Sequence, residues 1–204
     1  VNSGTSVSGS VRITNDALLV SNGVATLNLV NTNPNTPLTI DATDTIDGSV
    51  TTDNGTTTNA GIINGVVTTN NGTVANTGEI NGNIIVNQAL TAPASVMANS
   101  GTITADSVTV SGGNLNATGG AINSDSFVVS SGSLNADGGT FANKAGTVGT
   151  AVVAVSGAGT FDVNADTTLT SVTNAGGAVQ VDAALTSAIT NTSGTLTTSA
   201  TGTV

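Results

Sequence analysis

Between Ser100 and Phe141 the chain repeats itself at a spacing of nineteen residues. Gly101, Gly120 and Gly139 share one register and Ile103, Ile122 and Phe141 the next; Asp106 then aligns with Asp125, Val108 with Phe127, and Val110 with Val129. Further along the unit, Leu115 falls on Leu134, Asn116 on Asn135 and Ala117 on Ala136. A fixed short period marks stacked units, none of which can bury a core until its neighbours cover it.

A second series lies upstream with a period of seventeen. Ile46, Ile63 and Ile80 align, then Gly48, Gly65 and Gly82, then Val50, Val67 and Ile84. The tail repeats more loosely, with Phe161 over Val179, Val163 over Val181 and Thr173 over Thr190. Residues Val1 to Val30 alternate without a clear period, so residues 1–37 read as less regular N-terminal coils.

Valine, threonine, serine, asparagine and glycine dominate, whereas good helix formers with charged side chains are scarce: charged residues make up only 7% of the chain. Helical repeats are therefore excluded. Within one unit Ile103, Ala105, Val108, Val110, Leu115 and Ala117 alternate with polar neighbours, the two-residue period of strands that turn one face to a core. Turn-tolerant residues interrupt the alternation at 105–107, 111–113 and 118–120. The expected fold is an all-β, single-stranded parallel β-helix, with three short strands per coil. At roughly 4.8 Å per rung, approximately eleven coils would make a rod on the order of 50 Å long.

Phe127, Phe141 and Phe161 read as inward residues replacing aliphatics. The structural stack expected from the repeat is thus Ile103, Ile122 and Phe141, with Val108 and Phe127, Val110 and Val129, Leu115 and Leu134, and Asn116 and Asn135. The repeats run on to the C-terminus without a charge run or long linker, so residues 1–204 are expected to form one solenoid domain. Pro93 marks a protruding loop within residues 87–98, and Pro34 and Pro37 make a similar break.

A net charge of −10, with Arg12 and Lys144 as the only cations, leaves no basic patch for nucleic acid or anionic membranes. No apolar run approaches a transmembrane helix. With no cysteine, disulfides are excluded and the redox compartment stays open. The chain opens on valine without a basic-then-apolar leader, which reads as a mature or trimmed extracellular segment.

The units Asn59-Ala60-Gly61-Ile62-Ile63-Asn64-Gly65, Asn76-Thr77-Gly78-Glu79-Ile80-Asn81-Gly82 and Asn99-Ser100-Gly101-Thr102-Ile103 resemble the Asn-x-Gly-x-Ile repeats of bacterial autotransporter passenger domains and related secreted β-helix adhesins. The pattern spans about half of the chain. The resemblance implies export across a Gram-negative envelope, a right-handed parallel β-helix, and display at the bacterial surface for adhesion or self-association. It also implies a host or neighbouring cell surface as a further partner. The tail from Leu196 to Val204 departs from the pattern of an outer-membrane barrel, lacking long alternating strands and aromatic girdles.

Histidine, cysteine, tyrosine and tryptophan are all absent, which removes triads, thiolate chemistry and common zinc sites. No catalytic residue and no cofactor are expected. The remaining catalytic reading is a polysaccharide lyase or hydrolase built on carboxylates among Asp41, Asp44 and Asp47, or Asp162 and Asp166. Solvated corner carboxylates are the simpler reading.

Asp106 and Asp125 should occupy one corner on successive coils, and calcium is the natural ion for such an oxygen-only pair. The Gly-Gly-x-Gly-x-Asp repeat of calcium-binding β-rolls is missing, however, and Lys144 continues the column. A solvated pair is the preferred reading. Asparagine columns (Asn64 over Asn81, Asn59 over Asn76, Asn116 over Asn135) are expected to brace corners and, with outward threonines, to offer a neutral polar surface to an identical molecule. The function expected from these features is a non-enzymatic extracellular structural or adhesive solenoid that self-associates. Its variant is a filament subunit polymerising by end-to-end coil stacking.

Overall fold

A computed structural model describes residues 8–13, 19–20, 24–87, 95–143, 152–157 and 159–204. The described strands belong to one sheet that winds around a single interior, and all their pairings are parallel. No helix occurs among the described residues. The chain is a β-solenoid.

Each coil visits three faces in turn. The isoleucine face carries the column Ile46–Ile63–Ile80–Ile103–Ile122–Phe141–Phe161–Val179, in which every member is paired with the next. The valine face follows with Leu29–Val50–Val67–Ile84–Val108–Phe127. The leucine face closes the coil with Leu38–Thr57–Val74–Met97–Leu115–Leu134–Val153–Val172. Nearly all of these side chains are fully buried, so the three columns meet as one apolar core along the axis. Phe127 and Phe141 touch edge to face, with ring centroids 5.9 Å apart, filling the core from two faces of successive coils.

The stack expected from the repeat is present. Ile103 pairs with Ile122 and Ile122 with Phe141, while Val108, Val110, Leu115 and Leu134 all point inward with no exposure. The backbone of Val129 pairs with Val110, and its side chain lies outside the described residues. Asn116 pairs with Asn135 on the outer side of the leucine face.

Three particulars differ from the sequence reading. On the isoleucine face ten rungs are described, from Val24 to Thr195, a little short of the eleven coils that chain length suggests. The strands are short in the N-terminal coils and again at Thr140–Asn143, Val152–Ser156 and Thr160–Val163. Thr102–Ala117 and Ala121–Asp137 instead run through their corners as continuous strands, because the backbone keeps pairing with its neighbour where the coil bends, slipping register only around Ser111.

The N-terminal region, finally, is more regular than its sequence. Val24–Asn31 aligns with Thr45–Ile46 and with Val50–Thr52, and Ser8–Ile13 in turn pairs with residues 26–31. Its repeat was hidden because Val24 to Thr45 and Leu29 to Val50 are each twenty-one residues apart. Extra residues are absorbed between rungs: Asn33 and Thr36 bond to each other in the bend that contains Pro34. The coil from Ile80 to Ile103 likewise holds twenty-three residues and rejoins the ladder where Val96 meets Thr73. The protruding loop expected around Pro93 lies outside the described residues, since 88–94 are not among them.

The glycines of the repeat mark a corner where coils touch backbone to backbone. A Cβ on Gly101 would sit 2.0 Å from the carbonyl oxygen of Gly78, and one on Gly120 would sit 2.1 Å from that of Gly101. Only glycine permits that approach, which explains why this residue recurs there.

Candidate functional site

Asparagine stacks in two physically different ways. Asn59, Asn76 and Asn99 follow the inward residues Thr57, Val74 and Met97 by two positions, so they share their parity and point inward. All three are buried. The amide of Asn59 donates to Asn76 Oδ1 at 2.7 Å, and that of Asn76 donates to Asn99 Oδ1 at 2.7 Å. Asn99 ends the ladder by donating to the carbonyls of Gly101 and Ala121. Asn59 and Asn76 are therefore internal braces, not part of the neutral outer surface anticipated from sequence.

Below this ladder the column changes to Ile40, and Asn59 Oδ1 is left buried with no hydrogen-bond partner among the described residues. Above it the column becomes Ala117, Ala136 and Val155 before Asn174 reappears, bonded to Gly177 and Thr195.

Outward ladders run along the corners. Asn64 donates to Asp47 at 2.8 Å and Asn81 to Asn64 at 3.2 Å. At the next corner Asn87 donates to Asn70 at 2.8 Å, Asn70 to Asp53, and Ser111 to Asn87 at 3.0 Å. On the leucine face Asn135 donates to Asn116 at 2.7 Å. These amides saturate one another along the axis and leave a surface of small neutral groups.

The carboxylates are dispersed rather than gathered. Asp106 and Asp125 do follow one another at one corner, between the pairs Ala105–Ser124 and Ser107–Ser126, and both are exposed. Lys144, the expected next member of that column, lies outside the described residues. Among the described residues no three acidic side chains approach closely enough to hold a metal ion.

Asp44 is buried and accepts the N–H of Asp41 at 3.1 Å, closing its own turn. Asp47 serves the outer ladder, and exposed Asp166 accepts the N–H of Ala184 at 3.1 Å. Asp162 is half-buried, paired with Ala142 and Gln180, and its Oδ1 has no hydrogen-bond partner among the described residues. The pairs weighed from sequence as acid and base thus include side chains already engaged in bracing the backbone.

The glycine corner leaves two shallow open grooves on one edge of the rod. The larger, about 510 Å³, is lined by Gly61, Gly78 and Gly101 with Glu79 at its border; the smaller, about 290 Å³, is lined by Gly159, Gly177 and Gly194. Both are walled mainly by backbone and small side chains, and Glu79 is the one carboxylate lining them.

The chain matches no protein-family model, no curated protein and no solved structure. What is established is the class, a parallel β-solenoid repeat protein. Among the described residues no helix is long and apolar enough to cross a membrane, a statement that does not bear on β-barrels.

Proposed function

We propose that this chain is a non-enzymatic structural and adhesive solenoid, displayed outside a bacterial cell and acting through association with copies of itself. The observation that carries this reading is the division of labour between side chains. Inward positions pack or brace the core, while outward asparagine, threonine and serine repeat in register along the axis. Such a surface offers many weak, identical contacts whose effect sums by multivalency, and the continuous ladder keeps them aligned.

The resemblance of the Asn-x-Gly-x-Ile units to autotransporter passenger repeats supports surface display and export. Electron microscopy and sedimentation of the purified protein test the reading. Concentration-dependent clusters or fibres without turnover of acidic polysaccharides support it. Release of unsaturated or reducing sugars would replace it with a carbohydrate-active enzyme.

A further inference from the structure

Four Asn-Gly steps fall among the described residues, at Asn54, Asn64, Asn71 and Asn81; a fifth, Asn22-Gly23, lies outside them. Asn-Gly is the step where a backbone nitrogen most readily attacks the preceding side chain, because glycine puts no Cβ in the way. Two groups must be at liberty for this to happen: the asparagine amide and the N–H that follows it.

Three of the four steps are held. Asn64 donates to Asp47 at 2.8 Å and accepts from Asn81 at 3.2 Å, so both ends of its amide are engaged. Asn81 donates to Asn64 and to Glu79 Oε1, and the N–H of Gly82 donates to the Thr104 carbonyl at 3.0 Å. Asn71 is half-buried, and Gly72 after it is buried.

Asn54 differs. Its side chain is exposed and makes no hydrogen bond among the described residues, and the N–H of Gly55 likewise meets no acceptor among them. The fold itself demands the glycine. Gly55 sits at φ +79°, and a Cβ on it would lie 2.0 Å from the Asn33 carbonyl oxygen. Its carbonyl accepts from the N–H of Thr73 at 2.9 Å, so the corner is fixed on one side of the residue while the nitrogen stays open on the other.

We propose that Asn54 is a site of self-modification, in which the Gly55 nitrogen displaces the side-chain amide. The nitrogen gives up its proton and bonds to Asn54 Cγ. The Cγ–Nδ2 bond breaks, and Nδ2 takes up a proton through water and leaves as ammonia. The product is a five-membered imide, which one water molecule opens at either carbonyl to give aspartate or isoaspartate. Water is the only co-reactant, and nothing is oxidised or reduced.

Either product adds one negative charge to a chain that already carries −10. The new carboxylate stands next to Asp53, which accepts from Asn70 in the corner ladder. Isoaspartate also adds a carbon to the main chain at a corner where Gly55 packs closely on Asn33. The inference stands apart from the self-association proposed above.

The test is peptide mapping by mass spectrometry after the full chain has stood in warm, mildly alkaline buffer made with heavy-oxygen water. The isotope enters when the imide opens and so marks conversions that precede digestion; circular dichroism verifies that the chain stays folded. Asn54 should convert about tenfold or more faster than Asn64 and Asn81, as expected where attack must first break two hydrogen bonds. In urea, where every step is released, the difference should collapse. Asn54→Gln, whose longer side chain cannot close the five-membered ring, should give no labelled product at this position. Conversion of Asn64, Asn71 or Asn81 in the folded chain as fast as that of Asn54, or no labelled product at Asn54, overturns the inference. Label that persists at position 54 in Asn54→Gln points to direct hydrolysis and overturns it as well.

Discussion

Replacing Asn76 by alanine tests whether the buried amide ladder holds coils together. The Asn76 side chain accepts from Asn59 and donates to Asn99, both at 2.7 Å, in a site with almost no exposure. Truncation removes these two hydrogen bonds and a longer one to the Gly78 carbonyl at 3.2 Å, worth about 1 kcal/mol or less each, and leaves Asn99 Oδ1 buried without that donor at a further cost of about 1–3 kcal/mol. Partial recovery through the carbonyls that Asn59 already contacts at 3.3 Å brings the expected loss to about 2–4 kcal/mol.

For a chain of this size that corresponds to a fall in Tm of roughly 4–16 °C, readable by calorimetry or by the midpoint of urea unfolding. The matched control is Asn81→Ala. Asn81 also belongs to an asparagine ladder, but it is exposed, and its loss should cost no more than about 0.5 kcal/mol. Equal effects for the two substitutions, or a larger one for Asn81→Ala, would refute the argument that burial separates the bracing ladder from the surface ones.

Gly101→Ala should cost at least ~2 kcal/mol in urea unfolding, because its Cβ would lie 2.0 Å from the Gly78 carbonyl oxygen and the rung must move. Gly138→Ala meets open space and strains only a backbone at φ +76°, so about 1–2 kcal/mol is expected; the reverse order would contradict the close packing of the glycine corner. Self-association measured by light scattering should strengthen as pH falls from 7 toward the sequence pI near 4.1, because protonating carboxylates removes the repulsion between acidic faces. Association that weakens over that range would contradict a charge-opposed contact. Calcium at millimolar concentration should leave Tm within about 1 °C, since Asp106 and Asp125 are both exposed; a larger rise that disappears in Asp106→Asn would install an ion at that corner.

Much of this fold was legible because a solenoid writes its geometry into spacing. Ile103, Ile122 and Phe141 share a register because one coil returns the chain to the same face, and the alternation of Val108 and Val110 with polar neighbours states which side faces in. Where coil length varies, that signal fades, as between Val24 and Thr45, although the rungs still pair. The buried asparagines were a harder case. Their polarity suggests the surface, yet their position two residues beyond Thr57, Val74 and Met97 gives an inward parity, and parity prevails because stacked amides satisfy each other.

The continuity of strands through corners was not legible, since Asp106 and Gly112 read as turn residues whether or not the backbone keeps its ladder.

Coaxial stacking is tested most directly by distances between spin labels on one outward column of the isoleucine face. Asn64, Thr104 and Thr197 lie on that column, with Thr104 reaching Thr197 through Asn123, Ala142, Asp162 and Gln180. Pulsed electron resonance on the pair Thr104→Cys and Thr197→Cys should give about 24 Å, and on Asn64→Cys and Thr197→Cys about 34 Å, a rise of ~4.8 Å for each intervening rung. Distances that do not grow in proportion to the number of rungs would contradict the solenoid and every functional argument built on its faces.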